Sequence, residues 1–95
     1  MEKPEAKLLS VQEERGLYRA RISIVYGGRT IEVDIKNLVK RPVSLATRIE
    51  GDYILVDMKD PTGNGIATCC IHRGYLEKGV TGECHSLIIP PESKC

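Results

Sequence analysis

Six basic residues carry most of the chemistry this sequence offers: Arg15, Arg19, Arg21, Lys40, Arg41 and Arg48. A guanidinium presents a planar fork of donors that fits phosphate or carboxylate oxygens two at a time. Arg19, Arg21 and Arg48 fall on the outward positions of alternating segments. If their strands are neighbours, they form a patch able to grip phosphates. A plainer role competes with this, because Arg21 is placed opposite Asp34 and the two can form a cross-strand ion pair. The whole chain holds 14 basic and 13 acidic residues, a net charge of +1. Non-specific nucleic-acid binding rests on a surplus of positive charge, so any such binding must be local. Single-strand binders also stack bases on aromatic rings. Of Tyr18, Tyr26, Tyr53 and Tyr75, only Tyr53 is expected to face outward.

Cysteine and histidine supply a second set of candidates. Cys70, His72 and Cys84, with His85, hold the donor types of a tetrahedral zinc site. Their spacing argues against one. Cys84 and His85 are adjacent, so on a strand they point to opposite faces. Cys69-Cys70 is not a Cys-x-x-Cys pair. A Cys70–Cys84 disulfide is geometrically conceivable but does not follow from the sequence. In a reducing compartment all four cysteines are expected as thiols, with Cys95 on a loose tail the first to react.

Catalytic motifs are absent. No Gly-x-Ser-x-Gly elbow occurs, and Ser10, Ser23, Ser44, Ser86 and Ser93 have no recognisable base beside them. The Pro61–Gly65 stretch is dense in turn formers, but it lacks the Gly-Lys-Ser/Thr ending of a phosphate loop. It reads as a strand connection. The chain is therefore expected to be no enzyme and to need no cofactor.

The elements that must position these residues are strands. Leu17–Tyr26 and Arg29–Ile35 alternate apolar and polar residues around Gly27-Gly28, which suits a type I′ turn. A two-residue loop sets Tyr26 opposite Arg29, Ile24 opposite Ile31, Ile22 opposite Val33 and Ala20 opposite Ile35. Ser23 then meets Glu32, and Arg21 meets Asp34. A one-residue slip would scramble both faces. A second hairpin is expected over Val43–Met58. Turning at Gly51-Asp52, it sets Ile49 opposite Ile54, Thr47 opposite Val56 and Leu45 opposite Met58. Tyr53 and Leu55 then lie on its outer side, either as an exposed interaction patch or as a second covered face. A three-residue turn would reverse these roles.

Ile66–His72 and Cys84–Ile89 read as further strands, with an irregular connection over Gly74–Gly82. Residues before Gly16 fit either a three-turn helix or a short strand turning at Arg15-Gly16, with the strand slightly favoured. The expectation is one mainly-β domain over residues 1–95. It has an arm at 1–16, a core at 17–89 and a tail at 90–95. Five or six short strands suggest a small antiparallel barrel or sandwich.

Arg15-x-x-x-Arg19, followed by strands and then Asp34-Ile35-Lys36-Asn37, resembles the outline of PilZ domains. Those are small β-barrels that bind cyclic di-GMP through an arginine pair and an Asp/Asn-x-Ser-x-x-Gly motif. Lys36 stands where that motif has serine, and Val39 where it has glycine. The resemblance implies a barrel with a degenerate nucleotide-binding motif.

No apolar run reaches the length of a membrane span, and no signal peptide is evident. A cytoplasmic protein is expected. The reading is a non-enzymatic binding module that contacts nucleic acid or nucleotide phosphates through an arginine-bearing sheet face. The alternative is a structural or protein–protein interaction domain that uses a strand edge or Tyr53 and Leu55, with a homo-oligomer as one outcome.

Overall fold

Pairs of left-handed residues make the first two turns of the chain. The computed structural model describes residues 3–78, 82–83 and 87–90. Strand β1 (Glu5–Glu14) turns into β2 (Leu17–Tyr26) through Arg15-Gly16, with φ values of 53° and 82°. Strand β2 turns into β3 (Arg29–Leu38) through Gly27-Gly28, with φ values of 62° and 73°. Positive φ at both central residues matches the right-handed twist of the flanking strands. The β2–β3 register runs from Tyr26 opposite Arg29 to Ala20 opposite Ile35, as the alternation requires.

Strand β4 (Ser44–Glu50) and β5 (Tyr53–Lys59) form the second hairpin, with Ile49 opposite Ile54 and Leu45 opposite Met58. Strand β6 (Gly65–His72) follows β5 antiparallel, and the short helix α1 (Arg73–Lys78) follows it. Strands β7 (Gly82–Glu83) and β8 (Leu87–Ile89) are short. Two sheets result, in the orders β1-β2-β3-β7 and β4-β5-β6-β8. Each contains three long antiparallel strands. Their inward sets share one apolar cluster, with Ile22, Ile24 and Ile35 from the first sheet and Ile54, Met58 and Ile71 from the second. Fully burying one such side chain contributes about 1.5–3 kcal/mol.

Several expectations are corrected. The arm before Gly16 is the strand slightly favoured over a helix, but it runs to ten residues where a short one is expected, with half-buried Ala6, Leu8 and Val11 packed against the core. The pairing is not wholly antiparallel, since β7 runs parallel to β3. The expected barrel is not closed: β1 and β4 end their respective sheets and are not hydrogen-bonded as a ladder. They meet where the Thr47 hydroxyl donates to the Pro4 carbonyl at 2.6 Å. Part of the Gly74–Gly82 connection is helical. Of the expected last strand, Leu87–Ile89 is extended, while residues 84–86 lie outside the described residues.

Two irregularities shape the first sheet. Strand β1 bulges between Leu8 and Ser10, so Leu9 has no partner on β2 and is exposed. In β3 the stretch Ile35–Leu38 spans only Ala20–Tyr18 of β2, and Asn37 takes a left-handed φ of 61°. Extra residues of this kind bend the strand and re-aim side chains.

Candidate anion-binding surface

On the outer face of the first sheet, Arg19 and Arg21 project from β2 and Asp34 and Glu32 from β3. Cross-strand neighbours on one face stand close enough to interact. Arg19 donates from Nη2 to Asp34 Oδ2 at 2.9 Å, and Arg21 from Nη1 to Asp34 Oδ1 at 2.9 Å. One carboxylate thus bridges two guanidiniums. Arg21 also donates from Nε to Glu32 Oε1 at 2.9 Å. The Arg19 hydrogen bond, followed by the nearby Arg21 charge, holds the Asp34 carboxyl below its usual range against the opposing effect of burial. The Glu32 hydrogen bond and the Asp34 charge raise the pKa of Arg21.

The bulges give this network its surroundings. Ser10 and Gln12 lie beside Arg21 and Arg19 across the β1–β2 ladder. Together with Arg19, Arg21 and Asp34 they line a polar depression of about 210 Å3. A smaller depression of about 60 Å3 adjoins it, lined by Glu14, Leu17, Tyr18, Arg19, Lys36 and Asn37. Arg19 belongs to both. A hydrogen bond from Tyr18 to Glu13 holds the phenol above its ordinary pKa, while the Arg41 charge pulls it the other way. Arg15 is exposed at the adjoining β1–β2 turn.

The remaining candidates lie elsewhere. Arg48 does not join Arg19 and Arg21. It is on β4 in the second sheet, where Nε donates to Asp57 Oδ2 at 3.0 Å and Nη1 to Glu50 Oε1 at 3.0 Å. Asp57 also accepts from the fully buried Thr68 hydroxyl. Burial opposes ionisation of Asp57, but the Arg48 and Thr68 hydrogen bonds outweigh it and its pKa is lowered. Lys40 stands 3.7 Å from Asp60.

Asp60 also accepts from the backbone N–H groups of Thr62 and Asn64, and from the Thr62 hydroxyl. The Thr62 hydroxyl is the largest influence holding the Asp60 pKa down. These amides of the Pro61–Gly65 loop therefore serve an internal acceptor, as in an ordinary Asx-type turn.

Tyr53 and Leu55 do not make a joint exposed patch. Tyr53 is 39% exposed and Leu55 is fully buried. Leu55, Thr68 and Cys70 face away from the main core yet are covered, so the second sheet is buried on both sides over β5 and β6. Tyr53 meets His72 edge-on, with ring centroids 5.3 Å apart. The His72 Nδ1 accepts from the Gly74 N–H.

Cys70 is held in a disulfide, which corrects the expected thiol and leaves no thiolate there for a metal. Cys69 is a buried core residue. Cys84, His85 and Cys95 lie outside the described residues. Among the described residues, no three His, Cys, Asp or Glu side chains are placed to hold a metal ion. No helix among them is long and apolar enough to cross a membrane.

Sequence reasoning missed Ser10 and Gln12 as neighbours of the arginines, and it drew on Lys36 and Asn37 only through the PilZ resemblance. Their positions depend on the two bulges, and period-2 alternation carries no signal for an extra residue. It also missed Arg73, which sits over the Tyr26 ring at 5.5 Å.

Comparison with family models, curated proteins and solved structures finds no match for this chain.

Proposed function

We propose that this chain is a non-enzymatic binding module that holds a phosphate group, of a nucleotide or a nucleic acid, on the outer surface centred on Arg19. The observation that carries the reading is the position of Arg19 between two depressions, a polar one with Arg21 and a smaller one of mixed lining with Lys36. Asp34 orients the guanidiniums. Its side chain is only 10% exposed, so it stays in place as a positioning group. Glu32 is different. Its side chain is 45% exposed, and a screened contact of that kind is worth about 0–1 kcal/mol. A phosphate can replace Glu32 on Arg21 at small cost.

The two sheets are read as a barrel opened along the β1–β4 seam. The PilZ-like outline fits the same surface, because the Arg15 turn and the Lys36–Asn37 bulge both border it.

The test is fluorescence anisotropy with a labelled single-stranded oligonucleotide and, separately, with a cyclic dinucleotide. Affinity should fall as salt rises, as phosphate contacts demand. The Arg19→Ala variant should weaken binding by roughly tenfold, with Arg48→Ala close to wild type. No binding of either ligand at low salt overturns the reading.

The second reading is docking of another polypeptide along a strand edge. The observation favouring it is that β4 ends its sheet without a ladder partner on its outer side among the described residues.

A further inference from the structure

We propose that Asn64-Gly65 is a self-modifying site, where the folded protein deamidates and so loosens its own β5–β6 connection. This inference is independent of the phosphate reading. Asparagine is a chemically labile residue, and the reaction needs no enzyme. The Gly65 backbone nitrogen bonds to Cγ of Asn64, and the side-chain nitrogen departs as ammonia, taking the Gly65 N–H proton. The product is a cyclic imide, which water then opens. Breaking the bond between Gly65 N and Cγ gives aspartate. Breaking the bond between Gly65 N and the Asn64 backbone carbon gives isoaspartate, in which the chain runs through the former side chain.

The loop leaves the reacting atoms available. Asn64 and Gly65 are both exposed, and glycine has no Cβ to obstruct the approach. Asn64 is held by its backbone alone. Its N–H donates to Asp60 Oδ1 at 3.0 Å, and its carbonyl accepts the Asp60 N–H at 2.9 Å. Among the described residues, no hydrogen bond holds the Asn64 side-chain amide. None of the bonds that shape the loop uses the Gly65 N–H. The Lys59 carbonyl opposite Gly65 is turned to the β4 side, where it accepts the Val43 N–H. Asn37 is the contrasting case. It precedes Leu38, whose branched side chain is buried and whose backbone is paired with Tyr18.

The reaction falls on the group that organises the turn. Buried Asp60 gathers the N–H groups of Thr62 and Asn64 and the Thr62 hydroxyl. Isoaspartate lengthens the backbone by a carbon and displaces the oxygen that accepts the Asp60 N–H. Either product adds a carboxylate beside Asp60, and like charges so placed repel.

The test is incubation of the intact folded chain at mildly alkaline pH, then reduction and tryptic mapping against a zero-time sample. The peptide spanning residues 60–73 should accumulate the deamidated mass and accept methyl groups from an isoaspartyl methyltransferase. The 37–40 peptide should stay unchanged. Amide exchange at Asp60 should quicken in the converted protein. Conversion should be lost in Asn64→Gln and greatly slowed in Gly65→Ala, where φ is not positive and alanine fits. Should either variant fail to fold, the wild-type time course decides alone. A folded chain that keeps Asn64 intact while the urea-unfolded chain converts overturns the proposal, as does conversion with unchanged exchange at Asp60.

Discussion

Two arginine–carboxylate networks lie on the two sheets, built from the same residue types and differing in what surrounds them. In the second sheet, Arg48 closes on Asp57 and Glu50, and Asp57 also serves the buried Thr68 hydroxyl. Leu55 and Cys70 are covered on the same face. In the first sheet, Arg19 and Arg21 close on Asp34 but border an open depression with Ser10 and Gln12. The outer acid there, Glu32, is half in solvent. A network under cover contributes to stability and is costly to break. A network at the edge of a depression can exchange partners. We propose that the same chemistry serves structure in the second sheet, where Asp57 also holds a buried hydroxyl, and binding in the first, where the arginines line a depression.

The largest expected effect is in the covered network. Asp57→Ala takes an acceptor from a buried hydroxyl and a charge partner from Arg48. It should cost about 2–3 kcal/mol, measured as a drop in urea midpoint without a change in slope. Asp34→Ala should cost less, about 1–2 kcal/mol, because Arg19 and Arg21 remain solvated. Equal losses would erase the distinction between the networks.

Acid sharpens the same contrast. Asp34 and Asp57 both have native pKa values lowered from 3.8. Their contribution is complete above the unfolded-state value and is lost as pH falls through the lowered native one. Wild-type stability should therefore drop below about pH 4, and Asp57→Asn should flatten that drop. An unchanged slope in the variant would count against the assignment. Glu32→Gln should give the smallest change in stability, within about 0.5 kcal/mol. It should tighten oligonucleotide binding by removing the competing acid, and weaker binding would show that Glu32 holds Arg21 in place.

The central hairpins were legible in the sequence because turn chemistry and alternation point to one register. Gly27-Gly28 set the β2–β3 pairs, and Gly51-Asp52 set Ile49 opposite Ile54. The Arg21–Asp34 contact followed from that register. Other features were not legible. Arg19 reaches the same Asp34 as its diagonal neighbour on that face, whereas the extra residues at Leu9 and Lys36–Asn37 left no mark in the alternation. Arg48 could join Arg19 and Arg21 only if their strands were neighbours, and assigning strands to sheets needs long-range pairing that no local pattern encodes. Leu55 alternates with the core set, so alternation left it either exposed or on a second covered face, and its full burial selects the covered face.

The most direct test of the account is a salt titration of single-stranded oligonucleotide binding, comparing the Arg19→Ala/Arg21→Ala double variant with Arg48→Ala. The account predicts that the double variant loses salt-dependent binding, flattening the log–log slope by about 1–2. It predicts that folded Arg48→Ala protein binds as the wild type does. A double variant that binds with wild-type affinity and salt dependence, or a wild-type chain that binds nothing at low salt, would contradict it.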